Sequence, residues 1–246
     1  MKDVRIIGLE GLPDVEEGAD LAGLLADAAA RADGLEDRDV VVIAHKVVSK
    51  AEGRVVRLDS VEPSRFATAI SAERDPRQTE VILRETARIV RLRPPLVISE
   101  TRHGFVCASA GVDASNAPAP GSVVLLPSDP DASAAELRAR LEERTGRSLA
   151  VVVTDSFGRG WRQGTTDVAV GAAGIRTLVD LRGERDPTGY ELHATVIAIA
   201  DEIAGAAELV MGKVNRIPAA IVRGLDVAGD GRAADLVMPA ERDLFR

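Results

Sequence analysis

The sequence predicts an α+β fold in which mixed, largely antiparallel sheets are flanked by helices. First, two strongly apolar runs, residues 39–44 and 149–154, have the length and composition of buried strands. Second, residues 19–32 place Leu21, Leu24 and Leu25 on one face of a helix. Third, a hairpin interrupts the order of strands and helices, which argues against a regularly alternating, doubly wound sheet.

The first half of the chain carries short apolar runs and helical patterns in turn. Runs bounded by glycine, proline or polar residues predict strands over residues 4–9, 39–44, 54–58, 96–100 and 105–110. Apolar positions at helical spacing predict helices over residues 19–32, 63–72 and 76–91. Pro63 opens the second helix because proline fits the first helical turn. The last two strands form a hairpin through residues 101–104.

The second half follows the same rules. It contains predicted strands over residues 123–126, 149–154, 166–172, 177–181 and 219–223. Helices are predicted over 134–145, capped by Asp131 or Ser133 and ended by Gly146, and over the alanine-rich stretch 190–209. No linker divides the chain, so we expect a single domain over residues 1–246, with two intimately packed subdomains as the alternative.

Composition excludes several classes of function. The net charge of -8 and the aromatic content of 2% argue against nucleic acid as a partner and against stacking platforms. No stretch of about 18 apolar residues predicts a membrane span, and the first residues lack the apolar core of a secretion signal. The single cysteine, Cys107, fits a small core residue in a protein of the reducing cytoplasm.

The stretch over residues 103–116 is the first candidate site. It leads from a turn through a small-residue strand to three polar side chains, Asp113, Ser115 and Asn116. Carboxylate, hydroxyl and amide oxygens at a strand end suit a hard cation such as Mg²⁺ or Mn²⁺. The alternative is a turn that is rich in Asp and Asn and only closes the strand.

A second candidate site follows the apolar run 149–154. Asp155 and Ser156 come directly after the run, and Arg159 and Arg162 follow among glycines that allow a backbone to approach phosphate. If Asp155 and Asp113 converge on one cation, the pair fits magnesium-dependent phosphoryl transfer. The alternative is an ordinary strand-to-loop turn whose arginines pair with acidic surface groups.

Other motifs are incomplete. Gly212 and Lys213 are followed by Val214 rather than by Ser or Thr, so they do not form a P-loop. The three histidines lie too far apart in sequence for a spaced zinc motif. His45 and His103 adjoin predicted turns, which leaves each open between lining a site and facing solvent.

Six stretches in order resemble one known family, the coenzyme F420-0 gamma-glutamyl ligases. They are EGLP at 10–13, VVSKAEGR at 47–54, AGVDASN at 110–116, TDSFGR at 154–159, ADEIA at 200–204 and LVMG at 209–212. The resemblance covers about residues 4–230. It implies a GTP-dependent amide ligase that activates the terminal carboxylate of the phospholactyl arm of the deazaflavin coenzyme F420-0 as an acyl phosphate. The amine of L-glutamate then displaces phosphate, which forms a γ-linked product.

The resemblance also implies site residues. Asp113 and Asp155 would hold one divalent metal, Mg²⁺ or Mn²⁺, and Ser156 would contribute to a second; K⁺ is left open as a further cation. The GTP pocket would comprise Leu12, Pro13, Asp14, Val15, His45, Lys46, Lys50, Asn116, Met211, Gly212, Lys213, Val214, Asn215, Arg216, Ile217 and Pro218. The family fold is an α+β arrangement that forms an intertwined homodimer.

One departure from the family pattern concerns the second metal. Archaeal relatives carry an acidic ligand just after the Met-Gly pair, where this chain has Lys213. An ammonium group has no lone pair to give a metal. Lys213 therefore either replaces the second cation with its own charge or contacts phosphate directly, and exchanging it for Glu should alter the metal dependence.

Two other functions use the same residues. A metal-dependent phosphohydrolase would need both aspartates and the arginines but no pocket for an acceptor. A non-catalytic module that binds a nucleotide or a coenzyme would need the pocket without the chemistry. Replacing Asp155 by Asn separates these cases, because it should abolish turnover in an enzyme and only weaken binding in a module.

Overall fold

The computed structural model describes residues 3–245, and its centre is a five-stranded sheet. The strands are β1 (Arg5–Gly8), β2 (Val40–Ala44), β8 (Ala150–Gly158), β9 (Thr165–Ala173) and β12 (Ala219–Arg223). Their order is β1-β12-β2-β8-β9, and only the β2–β8 pair is parallel. The prediction of a mixed, largely antiparallel sheet is therefore confirmed.

Helices cover both faces of this sheet. Residues 3–245 form six α-helices in all: α1 (Leu21–Arg31), α2 (His45–Ala51), α3 (Arg65–Ile70), α4 (Pro76–Glu85), α5 (Pro130–Thr145) and α6 (Ile199–Met211). Val41, Val151 and Val153 pack with α1 and α5 in one core. Val42 and Val152 point the other way and pack with α6. This alternation explains why β2 and residues 150–153 of β8 are apolar at every position, since both of their faces are buried.

A second layer of smaller sheets lies beside the central one. The hairpin sheet contains β4 (Thr86–Arg93), β5 (Leu96–Thr101) and β6 (Val106–Ala108), and α3 and α4 share a separate core with it. Two antiparallel pairs complete the described fold: β3 (Val55–Arg57) with β7 (Ser122–Val124), and β10 (Val179–Asp180) with β11 (Val196–Ile197). The predicted hairpin through residues 101–104 is confirmed.

The predicted helix over 76–91 is wrong in its second half. The helix ends at Glu85, and the chain continues as β4 from Thr86. Thr86 Oγ1 donates a hydrogen bond to the carbonyl of Ile82 at 2.7 Å and is hydrogen-bonded to the Ser99 hydroxyl at 2.8 Å, which joins the helix end to β5. Ile89 and Val90 are β-branched, and strand pairing with β5 outweighs the helical spacing that these two residues share with Val81 and Ile82.

The predicted helix over 190–209 is also wrong at its start. Helix α6 begins at Ile199, and residues 196–197 belong to β11 instead. Asp186 accepts hydrogen bonds from the backbone of Thr188 and Tyr190, which stabilises a turn before β11. His193 therefore lies on an exposed connection and not on a helix.

Three boundaries differ from expectation in ways that affect the site. Residues 45–51, which carry no predicted element, form helix α2. Strand β8 continues to Gly158, so Asp155 lies within a strand and not at its end. Asp129, and not Asp131 or Ser133, caps α5, because its side chain accepts a hydrogen bond from the Ala132 N–H. Among the described residues, no helix is long and apolar enough to cross a bilayer.

Candidate active site

The parallel pairing of β2 with β8 builds the site. Ala44, the last residue of β2, is paired with Thr154, and α2 begins at the next residue, His45. The backbone N–H of Ala44 donates to the carbonyl of Pro218 at 2.9 Å. The first turn of α2 therefore lies between Asp155 of β8 and the loop that precedes β12.

His45 lies against Asp155 in a buried position. Its side chain is 1% exposed, and Nε2 lies 3.4 Å from Asp155 Oδ1. Nδ1 lies at the same distance from Ser49 Oγ, while Nε2 has no hydrogen-bond partner among the described residues. A buried ring nitrogen without a partner is costly. It therefore marks a place where a further polar group would be stabilised.

Cys107 adjoins this pair. Burial raises the pKa of its thiol to about 12, and the nearby carboxylate of Asp155 adds to that effect. A thiol with so high a pKa carries almost no thiolate at neutral pH, and the thiolate is the reactive form. Cys107 is 6% exposed, and this burial confirms the expectation that it is a small core residue.

Asp113 lies against the next residue of α2, Lys46. The Lys46 ammonium is 2.5 Å from Asp113 Oδ2 and donates to Ser115 Oγ at 2.8 Å. Ser115 donates to the same carboxylate through its backbone N–H and its hydroxyl, and Lys213 Nζ lies 3.9 Å away. Burial acts to raise the pKa of Asp113, but the hydrogen bonds from Lys46 and Ser115 outweigh it and hold the pKa below its usual value.

Two segments that are distant in sequence thus converge on the first turn of α2. His45 faces Asp155, and Lys46 faces Asp113. The structure thus places the two predicted aspartates against two consecutive residues of α2. Lys213 lies near Asp113 as well. A surface with two carboxylates and two ammonium groups can bind both a cation and phosphate.

Ser156 points away from this group. Successive residues of a strand face opposite sides of a sheet, so Ser156 lies on the face covered by α6. Its hydroxyl donates to Asp167 Oδ1 at 2.7 Å, and Thr154 Oγ1 donates to Asp167 Oδ2 at 2.8 Å. The pKa of Glu208 is raised, first by burial and then by the charge of Asp167, while Lys213 opposes the shift.

Asp167 is the residue that the sequence analysis missed. It is buried at 6% exposure within β9 and accepts two hydroxyl hydrogen bonds. The only signal for it is the antiparallel register that sets Asp167 opposite Ser156. That register includes an irregularity, and the sequence alone does not reveal it.

The residues assigned to the nucleotide surround α2. The loop with Leu12, Pro13, Asp14 and Val15 leads to Gly18, whose N–H donates to the carbonyl of Ala51 at the end of α2. Burial lowers the pKa of Lys50, and the charge of Asp14 partly offsets this. The loop of residues 211–218 starts at buried Met211 and ends at Pro218 beside Ala44.

Three predicted site residues lie farther out. Asn116 is exposed, with a φ of 56°, just beyond the Ser115 turn. Arg159 and Arg162 are exposed on the β8–β9 connection. Within the part of the chain that the structure describes, no ion pair joins either arginine to Asp113 or Asp155.

The sequence of the chain matches one protein family and several named proteins. The family model described as F420-0:Gamma-glutamyl ligase matches residues 11–224, which is most of the chain. The chain belongs to this family. Of its relatives, the protein named Coenzyme F420:L-glutamate ligase from Methanopyrus kandleri is 49% identical over 94% of this chain and 93% of its own length.

Two further relatives bear the same name. The protein of Methanothermobacter thermautotrophicus is 44% identical over 99% of both chains. That of Methanocaldococcus jannaschii is 41% identical over 100% of this chain and 98% of its own. The match to the F420-0:gamma-glutamyl ligase family includes both aspartates, α2 and the 211–218 loop, so the whole convergence around α2 lies within the family region.

Proposed function

We propose that this chain is a GTP-dependent ligase that adds L-glutamate, through a γ-linkage, to the phospholactyl arm of coenzyme F420-0 by way of an acyl phosphate. The observation that carries the proposal is the convergence of Asp113, Asp155, Lys46 and Lys213 at the first turn of α2. The names of the relatives, which are 40–49% identical over nearly the whole chain, support coenzyme F420 and L-glutamate as two of the substrates.

In this proposal, Asp113 and Asp155 hold one Mg²⁺ or Mn²⁺. Among the described residues, no group of three His, Cys, Asp or Glu side chains is arranged to hold a metal ion. Mg²⁺ fits nonetheless, because it commonly binds through one or two carboxylates and completes its shell with water and substrate phosphates. When bound, such an ion neutralises the charge that develops on the transferred phosphoryl group.

The lysines of the site then bind phosphate. In the structure, the ammonium of Lys46 neutralises Asp113, and a cation at that carboxylate would free it for the phosphates of GTP. Lys50 and the loops 12–15 and 211–218 flank the same helix and would hold the rest of the nucleotide. Positioning the carboxylate, the γ-phosphate and the amine in line supplies most of the catalysis.

Ser156 is proposed to contribute to a second cation, and K⁺ remains open as a further one. Ser156 faces Asp167 and not Asp155, so a cation at Ser156 would lie on the other side of β8.

We also propose that the ligase acts in the cytoplasm as an intertwined homodimer. Light scattering coupled to gel filtration measures the mass of the assembly and tests the dimer.

A single reaction tests the function. The protein is incubated with glutamate-free coenzyme, GTP, Mg²⁺ and L-glutamate, and the product masses are read. The proposal requires a product heavier by one glutamyl residue, and the release of phosphate from GTP must depend on both coenzyme and glutamate. Phosphate release that continues without the acceptor would instead indicate a phosphohydrolase.

Asp155→Asn is the matched variant, since it keeps the size and shape of the side chain. The ligase proposal expects it to lose turnover while the fold is retained. Wild-type protein that binds GTP and coenzyme but forms no product under any metal would overturn the proposal in favour of a binding module.

A further inference from the structure

A cavity of about 530 Å³ lies beside the candidate active site and is not used by the residues described above. It is bounded by the β4–β6 sheet, by the β8–β9 pair and by the chain's last described segment, residues 236–245. Its apolar walls include Phe105, Val106, Phe157, Leu236, Met238 and Phe245. The volume falls in the range of about 300–1,000 Å³ that is usual for small-molecule sites.

The aromatic residues of the chain are concentrated there. The sequence has four phenylalanines, and three of them, Phe105, Phe157 and Phe245, line this cavity. The rings of Phe105 and Phe157 meet edge to face at 6.3 Å, and the ring of Phe245 lies 4.9 Å from that of Trp161. In a chain with 2% aromatic residues, this concentration indicates a site for a flat apolar group.

The cavity adjoins the site around α2 along β8. Phe157 follows Asp155 by two residues on β8, so their side chains share one face of the strand, about 7 Å apart along it. Val106 precedes Cys107, whose thiol is close enough to Asp155 for its charge to raise the thiol's pKa. A group bound in the cavity could therefore extend an arm along β8 to the carboxylate.

The lining of the cavity also includes polar groups. Asp201, Arg242 and Asp243 contribute to the lining. Asp201 Oδ1 accepts a hydrogen bond from the Ala169 N–H, and the guanidinium of Arg242 offers donors to carbonyl oxygens. An apolar chamber whose lining also includes a donor and carboxylates suits a fused heteroaromatic ring that carries carbonyl and N–H groups.

The three proposed substrates differ in how well they fit. L-glutamate is too highly charged for apolar walls. GTP is assigned to α2 and the loops 12–15 and 211–218, and none of those residues lines the cavity. Of the two substrates with a flat ring, the coenzyme has the larger one, because deazaflavin has three fused rings and the guanine of GTP has two.

We propose that this cavity receives the deazaflavin ring of the coenzyme, with Phe105, Phe157 and Phe245 against the ring and the phospholactyl arm directed along β8 toward Asp155. The inference rests on the proposed function. Leu236, Met238 and Phe245 lie beyond residue 224, where the family match ends, so these walls belong to the part of the chain that the match does not cover.

Fluorescence anisotropy of the coenzyme, titrated with protein in the absence of GTP and glutamate, tests the inference. Phe245→Ala removes an exposed aromatic ring from the cavity wall. It should weaken the binding of the coenzyme about tenfold, as expected for the loss of one aromatic stacking partner. Val106→Trp fills the cavity and should weaken binding more. Phe66→Ala is the matched control, because Phe66 is the fourth phenylalanine, is half exposed on α3 and does not line the cavity.

The kinetic constants provide a second readout. The cavity variants should raise the KM for the coenzyme and leave the KM values for GTP and glutamate unchanged. A fragment of the coenzyme with the ring and ribityl chain but without the phospholactyl arm should compete for the wild-type protein. This competition would support a site for the ring itself.

The outcomes separate the two proposals. If the wild type makes product but Phe245→Ala and Val106→Trp bind the coenzyme as the wild type does, the cavity inference is overturned and the ligase proposal stands. If these variants instead change the mass of the assembly in light scattering, the cavity is a subunit interface and the inference is also overturned. If the wild type binds the coenzyme through the cavity but forms no product, the ligase proposal fails alone.

Discussion

Replacing Lys46 by methionine removes the cation that holds Asp113. The Lys46 side chain is 11% exposed and that of Asp113 is 32% exposed, and the two charged atoms are 2.5 Å apart. A hydrogen bond to a charged group contributes about 1.5–3 kcal/mol when buried. Partial exposure, together with Lys213 at 3.9 Å, reduces the expected loss to about 1–2.5 kcal/mol. In a domain of this size, that corresponds to a fall in Tm of about 2–10 °C.

A double-mutant cycle with Asp113→Asn isolates the pair. Each single variant leaves a half-buried polar group without its partner, whereas the double variant leaves no unpaired charge. The double variant should therefore lose less stability than the sum of the two single losses, by about 1 kcal/mol or more. Urea denaturation measures all four proteins at pH 7. Strictly additive losses would refute the contact between Lys46 and Asp113.

The pH dependence of stability gives an independent check. The folded pKa of Asp113 lies below its unfolded value, so the stability it contributes is present above about pH 4 and is lost as the pH falls through the folded pKa. Lys46→Met removes the main cause of that depression. The variant should lose less stability between pH 5 and pH 3 than the wild type does, and an identical pH profile would contradict the argument.

Three further predictions concern the surroundings of the site. Gly171→Ala should destabilise by about 1–3 kcal/mol, because its Cβ would lie 2.2 Å from the Pro130 carbonyl oxygen, whereas Gly158→Ala meets no atom within 4 Å and should be neutral; urea denaturation compares them. Cys107 should resist a thiol reagent in native protein at pH 8, since its pKa is raised to about 12, and should react on unfolding; rapid native labelling would contradict its placement. Burial raises the pKa of Asp201, so its ionisation makes stability fall as pH rises above about 4. Asp201→Asn keeps the acceptor and should raise Tm at pH 7 but not at pH 3, and an equal effect at both would exclude the charge as the cause.

Residues buried on both faces were predictable from the sequence. Strands β2 and β12 and the first four residues of β8 are apolar at nearly every position, and the predicted strand 219–223 coincides with β12. Such runs allow few alternatives, because only a strand with both faces covered needs them. These apolar runs in the sequence therefore predict the strands at the centre of the fold.

The errors arose where local patterns compete with tertiary contacts. Helix α2 lacks a side-chain cap, since Ala44 occupies the N-cap position, so the usual signal for a helix start is missing. The alanine-rich stretch from residue 190 has high helical propensity, but the turn at Asp186 and the pairing of β10 with β11 outweigh it. Propensity describes a segment in isolation, whereas these segments are fixed by their neighbours.

The candidate site could be predicted in part. The sequence identified Asp113 and Asp155 as chemical groups at strand ends, but it could not give their positions relative to α2. That relation depends on the parallel register of Ala44 with Thr154, which is a long-range property. The cavity was missed for a similar reason, because an aromatic content of 2% averages over the whole chain and conceals the meeting of Phe105, Phe157 and Phe245.

The geometry of β8 bears on the departure at Lys213. Asp155 and Ser156 face opposite sides of the sheet, so a single cation cannot bind both side chains directly. On the side of α6, the described carboxylates Asp167 and Glu208 repel each other, and Lys213 reduces that repulsion. Lys213 also lies 3.9 Å from Asp113. Its charge thus acts on the acidic groups of both faces, which favours the interpretation that Lys213 takes over part of the role of a second cation.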